Sequence, residues 1–220
     1  MGLIVRASSG SGGGTDFTPI EAGTHIAVCG MVVDLGIQPS NNPAYDPKHQ
    51  IYIRWEVAAE RVEWEVGGKQ MEGPAVIGSF YSFSLHEKAN LRRDLEGWRG
   101  KQFTEDELSG FELFKLLGAG CQLSVIHYES GGKTRAKVQG IMALPKSMAK
   151  PDVEGEVIGY SPEGSSVDGE DVAADEVLKK LPEWLQKIID KQITPKDTTV
   201  ADAVAAGFDD VNDGEDEPPF

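Results

Sequence analysis

Strand-like runs, the clearest alternating apolar and polar residues with a period of two, recur between residues 25 and 144, and a helical period interrupts them in the middle. Residues 25–35 are rich in Val, Ile and small side chains, and Gly36 with the Pro39–Pro47 stretch ends them with turn chemistry. Residues 50–58 set Ile51, Ile53, Trp55 and Val57 against Tyr52, Arg54 and Glu56, the pattern of a half-buried strand. Residues 61–66 either extend that strand or form a hairpin with it, and 74–85 read as a third strand. The period then changes. Over 87–98, Ala89, Leu91, Leu95 and Trp98 recur at helical spacing. Thr104 with Glu107 forms a capping box for a second short helix, and 111–117 add a turn that stops at Gly118. Residues 121–129 and 134–144 are strands joined by Ser130-Gly131-Gly132-Lys133, a hairpin signal. Pro145 and Pro151 close the run.

Three strands, a helical insert and two strands give a mainly β fold class. The expected architecture is a five-stranded OB-type barrel with its helical insert between strands 3 and 4. Beyond Lys150, Gly, Ser, Pro and acids dominate, a composition that predicts disorder. One island interrupts it over 175–192, where Val177, Leu178, Leu181, Trp184, Leu185, Ile188 and Ile189 share a face and Pro182 divides a first turn from the main helix. This helix can dock on the barrel, pair with another copy to make a homo-oligomer, or bind a partner. The expected organisation is a flexible Gly/Ser lead over 1–15, a barrel domain over 16–150, a linker over 151–174, an amphipathic helix over 175–193 and a disordered acidic tail over 194–220.

Charge changes the picture. The net of −15 argues against a nucleic-acid partner, but its distribution does not. Residues 151–220 hold 19 acids against 5 bases, while residues 1–150 hold 17 against 16, so the barrel is free to arrange a local basic groove. No apolar run reaches the length of a membrane span, and residues 1–15 lack the apolar stretch of a secretory signal. No membrane is expected, and the cytoplasm is the expected compartment. Cys29 and Cys121 lie in apolar strands and read as reduced core thiols, and four scattered His without Cys-x-x-Cys give no metal site.

Catalysis finds little support. No nucleophile sits in a recognisable setting, no phosphate loop is present, and the strands offer mainly Asp34 and Glu56 as fixed carboxylates. The chain reads as a non-enzyme without cofactors. Single-strand binding asks for aromatic faces that stack bases and for cations that follow the backbone. Strand 2 offers Tyr52 and Arg54, strand 3 Tyr81 and Phe83, and strand 5 Arg135 and Lys137, with Lys48 and Lys133 in flanking loops. Trp55, Phe80 and Trp98 read as core residues, and Arg92 and Arg93 lie on the exposed side of the helix. At the C-terminus, Asp216, Glu217, Pro219 and Phe220 close a run dense in negative charge with a terminal aromatic, which a basic-rimmed pocket on a partner protein can grip.

That tail resembles the tails of bacterial single-stranded-DNA-binding proteins, which end in an acidic run closing with Pro-Phe. Pro218 departs from the aliphatic residue usual there, and phage single-strand-binding proteins with an acidic tail ending in Phe are also similar. The body resembles a phage-encoded family of single-stranded-DNA-binding proteins over about residues 1–150. The resemblance is carried by Asp16-Phe17-Thr18-Pro19, Ala22-Gly23-Thr24-His25, the stretch 84–100 (SLHEKANLRRDLEGWRG), Leu116-Leu117-Gly118 and the strand 133–145. Pro182-Glu183-Trp184-Leu185-Gln186 is similar to part of that family's C-terminal region. The resemblance implies an OB-type fold and binding and protection of single-stranded DNA during phage replication or recombination, in the cytoplasm of the host bacterium. Replication and recombination proteins are the partners implied for the tail. The competing reading is an interaction protein that mimics DNA with its acidic tail and occupies a host enzyme.

Overall fold

The computed structural model describes residues 19–40, 42 and 44–193. The lead over 1–15 and the tail over 194–220, with Asp216, Glu217, Pro219 and Phe220, lie outside them. In chain order the elements are β1 (Gly23–Gln38), β2 (Lys48–Val66), β3 (Lys69–Ser82), α1 (Asn90–Arg99), α2 (Glu105–Ser109), a 3₁₀ turn (Leu113–Leu116), β4 (Gly120–Ser130) and β5 (Lys133–Ala143). They continue as β6 (Ile158–Tyr160), β7 (Ser165–Val167), β8 (Glu170–Val172), α3 (Ala174–Lys180) and α4 (Glu183–Ile189). The fold is mainly β, an open, mixed sheet of eight strands with a few helices.

β1 organises the sheet because it changes partners along its length. It pairs antiparallel with β2 over Val28–Gln38, antiparallel with β4 over Gly23–Val28, and parallel with β6 over Met31–Val33. β5 pairs with β4, while β6, β7 and β8 follow one another from the stretch Met31–Val33, further along the same edge of β1. β3 and β5 approach one another but exchange no ladder among the described residues, so a closed five-stranded barrel is not formed by pairing alone. β2 and β3 run on into a long hairpin whose turn is Gly67-Gly68, both at positive φ (58° and 79°), which suits the primed turns of tight hairpins. The stretch 61–66 thus extends β2 rather than folding back on residues 50–58, and its hairpin partner is β3.

The two periods set two cores. Ile51, Ile53, Trp55 and Val57 of β2 face Cys121, Leu123 and Val125 of β4, and α1 closes this core with Leu91, Leu95 and Trp98. Trp98 also donates its indole N–H to the carbonyl of Gly120 at 2.9 Å, so its one polar atom is satisfied. α1 starts at Asn90, three residues later than its period suggests, because Glu87 and Lys88 lie in a turn; Gly100 in the left-handed region stops it. The α2 capping box is present as read, with Thr104 and Glu107 bonding reciprocally. Cys29 and Cys121 are free and buried.

The second core lies on the opposite face of β1 and β2. Met31, Val33, Leu35 and Tyr52 are covered there by Ile158, Tyr160, Val177, Leu181, Leu185 and Ile189. The segment 151–174 is therefore not a linker, as its composition suggests, but holds β6, β7 and β8. Average polarity conceals that Ile158, Tyr160 and Val172 recur where the layer turns inward, and that Asp168-Gly169 (φ 52° and 86°) is a hairpin turn. The amphipathic run expected over 175–193 is divided at Pro182 as read, into α3, longer than the single turn expected, and α4, with Pro182 as the residue before α4. Of its three open uses, docking on its own sheet is the one observed.

Glu56 fastens this layer. Its carboxylate, 3 % exposed, accepts the backbone N–H groups of Glu154 (2.8 Å) and Gly155 (3.2 Å). Arg61 adds an ion pair to Glu154 at 2.5 Å, and the N–H of Ile193 donates to the carbonyl of Ile37 at 2.8 Å. Among the described residues no helix is long and apolar enough to cross a membrane.

A chain ending at residue 150 should expose the face of Met31, Val33, Leu35 and Tyr52 and lose cooperative unfolding, whereas one ending at residue 193 should keep it. Leu185→Ala, at a fully buried site, should cost about 2–5 kcal/mol in urea unfolding. Full stability in the shorter chain would show that the layer is accessory.

Candidate nucleic-acid interface

β5 alternates as a strand should. Ala136 and Val138 turn toward the core, which puts Lys133, Arg135 and Lys137 on the other face. Their cross-strand partners on β4 are Ser130, Tyr128 and Ile126. Lys137 places its Nζ 5.3 Å from the centroid of the Tyr128 ring, a cation–π contact that holds both outward. Glu129 belongs to the opposite face by register, where its carboxylate accepts from Thr134 Oγ1 at 2.6 Å. Lys133 and Lys137 are exposed, while Tyr128 and Arg135 are half-buried. The result is a row of three cations beside one aromatic ring, with no carboxylate interleaved on β4 or β5.

Tyr128 was missed in the sequence reading, yet a signal was there. Cys121, Leu123 and Val125 fix the inward register of β4, and the same parity sends Ile126 and Tyr128 outward.

The other expected residues do not join this row. Tyr52 is 8 % exposed and packs against Phe80 (5.0 Å between ring centroids) and Trp184 (5.2 Å), under the layer formed by residues 158–189. Its ring lies over Gly78, where a Cβ would fall 2.1 Å from the Tyr52 hydroxyl. Tyr81 faces the first core, and its hydroxyl donates to Asp94 Oδ2 at 3.1 Å. Burial thus removes both tyrosines from the set available for stacking. The alternation assigned β2 a solvent face, and the C-terminal layer covers it. Trp55 and Trp98 are core residues as read, and Phe80 is partly buried against the second core.

Arg54 sits on that same covered face, half-buried, and its Nε has no hydrogen-bond partner among the described residues. Lys48 is the first residue of β2, opposite Gln38, rather than a loop residue. Lys133 likewise opens β5. Phe83 follows the end of β3, is 50 % exposed, and packs against His49 with the rings tilted and their centroids 4.6 Å apart. It lines an open cleft of about 440 Å³ that also receives the carboxylates of Asp34, Glu112, Glu163 and Asp171. A phosphate backbone is repelled there. The expected set therefore divides into a basic face on β4–β5 and an acidic, aromatic cleft.

The two strand carboxylates are both engaged. Asp34 accepts from Gly36 N at 2.8 Å and lies 2.6 Å from His49 Nε2, and Glu56 holds the C-terminal layer. Among the described residues no group of three His, Cys, Asp or Glu is arranged to hold a metal ion. Comparison of the chain with protein-family models and with curated proteins gives no match.

Burial pushes the Tyr52 phenol up from its ordinary 10.0 to about 12, and pushes Tyr81 well above its ordinary value, with the Asp94 carboxylate adding to the effect. Both groups are neutral in the folded state where the unfolded chain would ionise. Their contribution to stability is complete below pH 10 and is lost as pH rises toward about 12. Alkaline absorbance titration should show at least two of the five tyrosines ionising only with unfolding. Ionisation of all five near the ordinary value, with the fold intact, would contradict this burial.

Proposed function

We propose that the protein binds single-stranded DNA, without strong sequence preference, across the outer face of β4–β5. The observation that carries this reading is the row Lys133, Arg135 and Lys137 beside Tyr128. Alternate residues of a strand are about 6.7 Å apart, so the row offers a cation at regular steps along a nucleic-acid backbone. Tyr128 supplies a face on which one base can stack, worth about 1–3 kcal/mol. An OB-type fold is part of the same proposal, supported by β1 pairing with both β2 and β4 and by the helices between β3 and β4, although β3 and β5 exchange no ladder among the described residues.

The proposed role is non-enzymatic; that Asp34 and Glu56, the carboxylates weighed for a two-metal nuclease, are each engaged in structural bonds supports this reading. In this reading the acidic segment ending in Asp216, Glu217, Pro219 and Phe220 recruits replication or recombination enzymes in the cytoplasm of a host bacterium.

Fluorescence anisotropy of a labelled poly-dT oligomer, titrated at two salt concentrations, tests it. Binding should be salt-sensitive, with a slope of about −0.7 per phosphate neutralised. Replacing Lys133, Arg135 and Lys137 together by Gln should flatten that slope by about 2. Tyr128→Ala should cost about 1–3 kcal/mol, and Tyr52→Phe should leave binding unchanged. A chain ending at residue 193 should bind at least as tightly as the full chain. Wild-type binding by the triple variant and by Tyr128→Ala would move the site elsewhere. Absence of any binding would favour the interaction protein whose acidic tail mimics DNA.

A further inference from the structure

The cleft beside Phe83 is unlike the β4–β5 face in every respect that matters for a ligand. Its walls are Phe83, Phe111, Phe114 and Tyr160, and no Lys or Arg lines it. Asp34 and Glu112 are engaged locally, with His49 and with the N–H of Phe114. Glu163 and Asp171 at the rim are exposed and make no ion pair among the described residues. Aromatic walls accept the aliphatic stems and charged ends of Lys and Arg, and a cleft lined by one sign of charge concentrates the opposite sign.

One feature selects a polypeptide over a small organic cation. Asp171 is the central residue of β8, which ends the strand order β3-β2-β1-β6-β7-β8 and has no neighbour on its outer edge among the described residues. Asp171 thus belongs both to this edge strand and to the lining of the cleft. An extended segment can add to such an edge and place alternate side chains in an adjoining pocket.

We infer that this cleft and the β8 edge together bind a short, extended, Lys- or Arg-bearing segment of a partner protein, at a site separate from the proposed DNA face. The inference does not rest on DNA binding.

The test uses the isotope-labelled full chain and the capped peptide acetyl-Lys-Val-Arg-Val-Lys-amide as probe, read by amide chemical shifts. Saturable shifts are expected at Phe83, Gly164, Asp171 and Val172. The double variant Glu163→Gln/Asp171→Asn should weaken binding about fivefold, the scale of two exposed ion pairs, and Phe83→Ala should weaken it further. The same double variant should bind the dT oligomer as the wild type does, which separates this site from the other. No saturable shift at those amides, or an equal response to the peptide with Glu in place of each basic residue, would overturn the inference. Equal saturation by spermidine would also overturn it, by reducing the site to a sink for charge.

Discussion

Glu56 places a buried carboxylate on the face of β2 that the C-terminal layer covers, and the arrangement of the C-terminal third follows from how that charge is satisfied. A buried carboxylate without partners costs several kcal/mol, so the site is stable only when donors reach it. The donors are the backbone N–H groups of Glu154 and Gly155, and Gly155 eases the approach, since a Cβ there would lie 2.9 Å from Glu56 Oε1. With 154–155 fixed, the chain is delivered alongside β1, where β6 pairs in parallel and α3 and α4 close over Met31, Val33 and Leu35. Replacing the carboxylate removes an acceptor for two N–H groups at once, which is why this contact, more than any one apolar pair, couples the layer to the sheet.

That coupling decides which surface is left for binding. A sheet with two covered faces on β1 and β2 cannot offer those strands to an extended ligand. The outward face of β4–β5 stays open because the C-terminal layer joins β1 over Met31–Val33, further along the strand than the stretch Gly23–Val28 that pairs with β4. Charge is then sorted by strand. Lys133, Arg135 and Lys137 gather on β5, while Glu163 and Asp171 gather at the rim of the cleft formed where the layer meets the end of the first core. A protein of net charge −15 thus keeps a local basic face by placing its acids on other elements.

Where local rules govern, the sequence was readable. The alternation from Ile51 to Val57, the α2 capping box, the Gly131-Gly132 hairpin and the helical spacing of Leu91, Leu95 and Trp98 all appear as elements of the structure. What was not legible depends on distant contacts. Tyr52 follows the polar parity of β2, and only Trp184, more than a hundred residues later, makes that parity an interior one. The segment 151–174 looks like a linker because its bonds are with β1 and Glu56 rather than within itself, although Asp168-Gly169 was a local clue. In the candidate site, the β5 cations were found from composition and alternation. Tyr128 needed the register of β4, and the acidity around Phe83 needed residues from four separate parts of the chain to be brought together.

Native-state hydrogen exchange tests most directly whether the layer and the sheet are one cooperative unit. The amides of Glu154 and Gly155, and those of α4 around Leu185 to Ile189, should exchange with the same opening free energy as the core amides of β1 and β2. Protection of β1 and β2 with fast exchange throughout 154–189 would contradict the account, since it would make the layer a loosely held appendage and reopen the face that carries Tyr52 and Arg54.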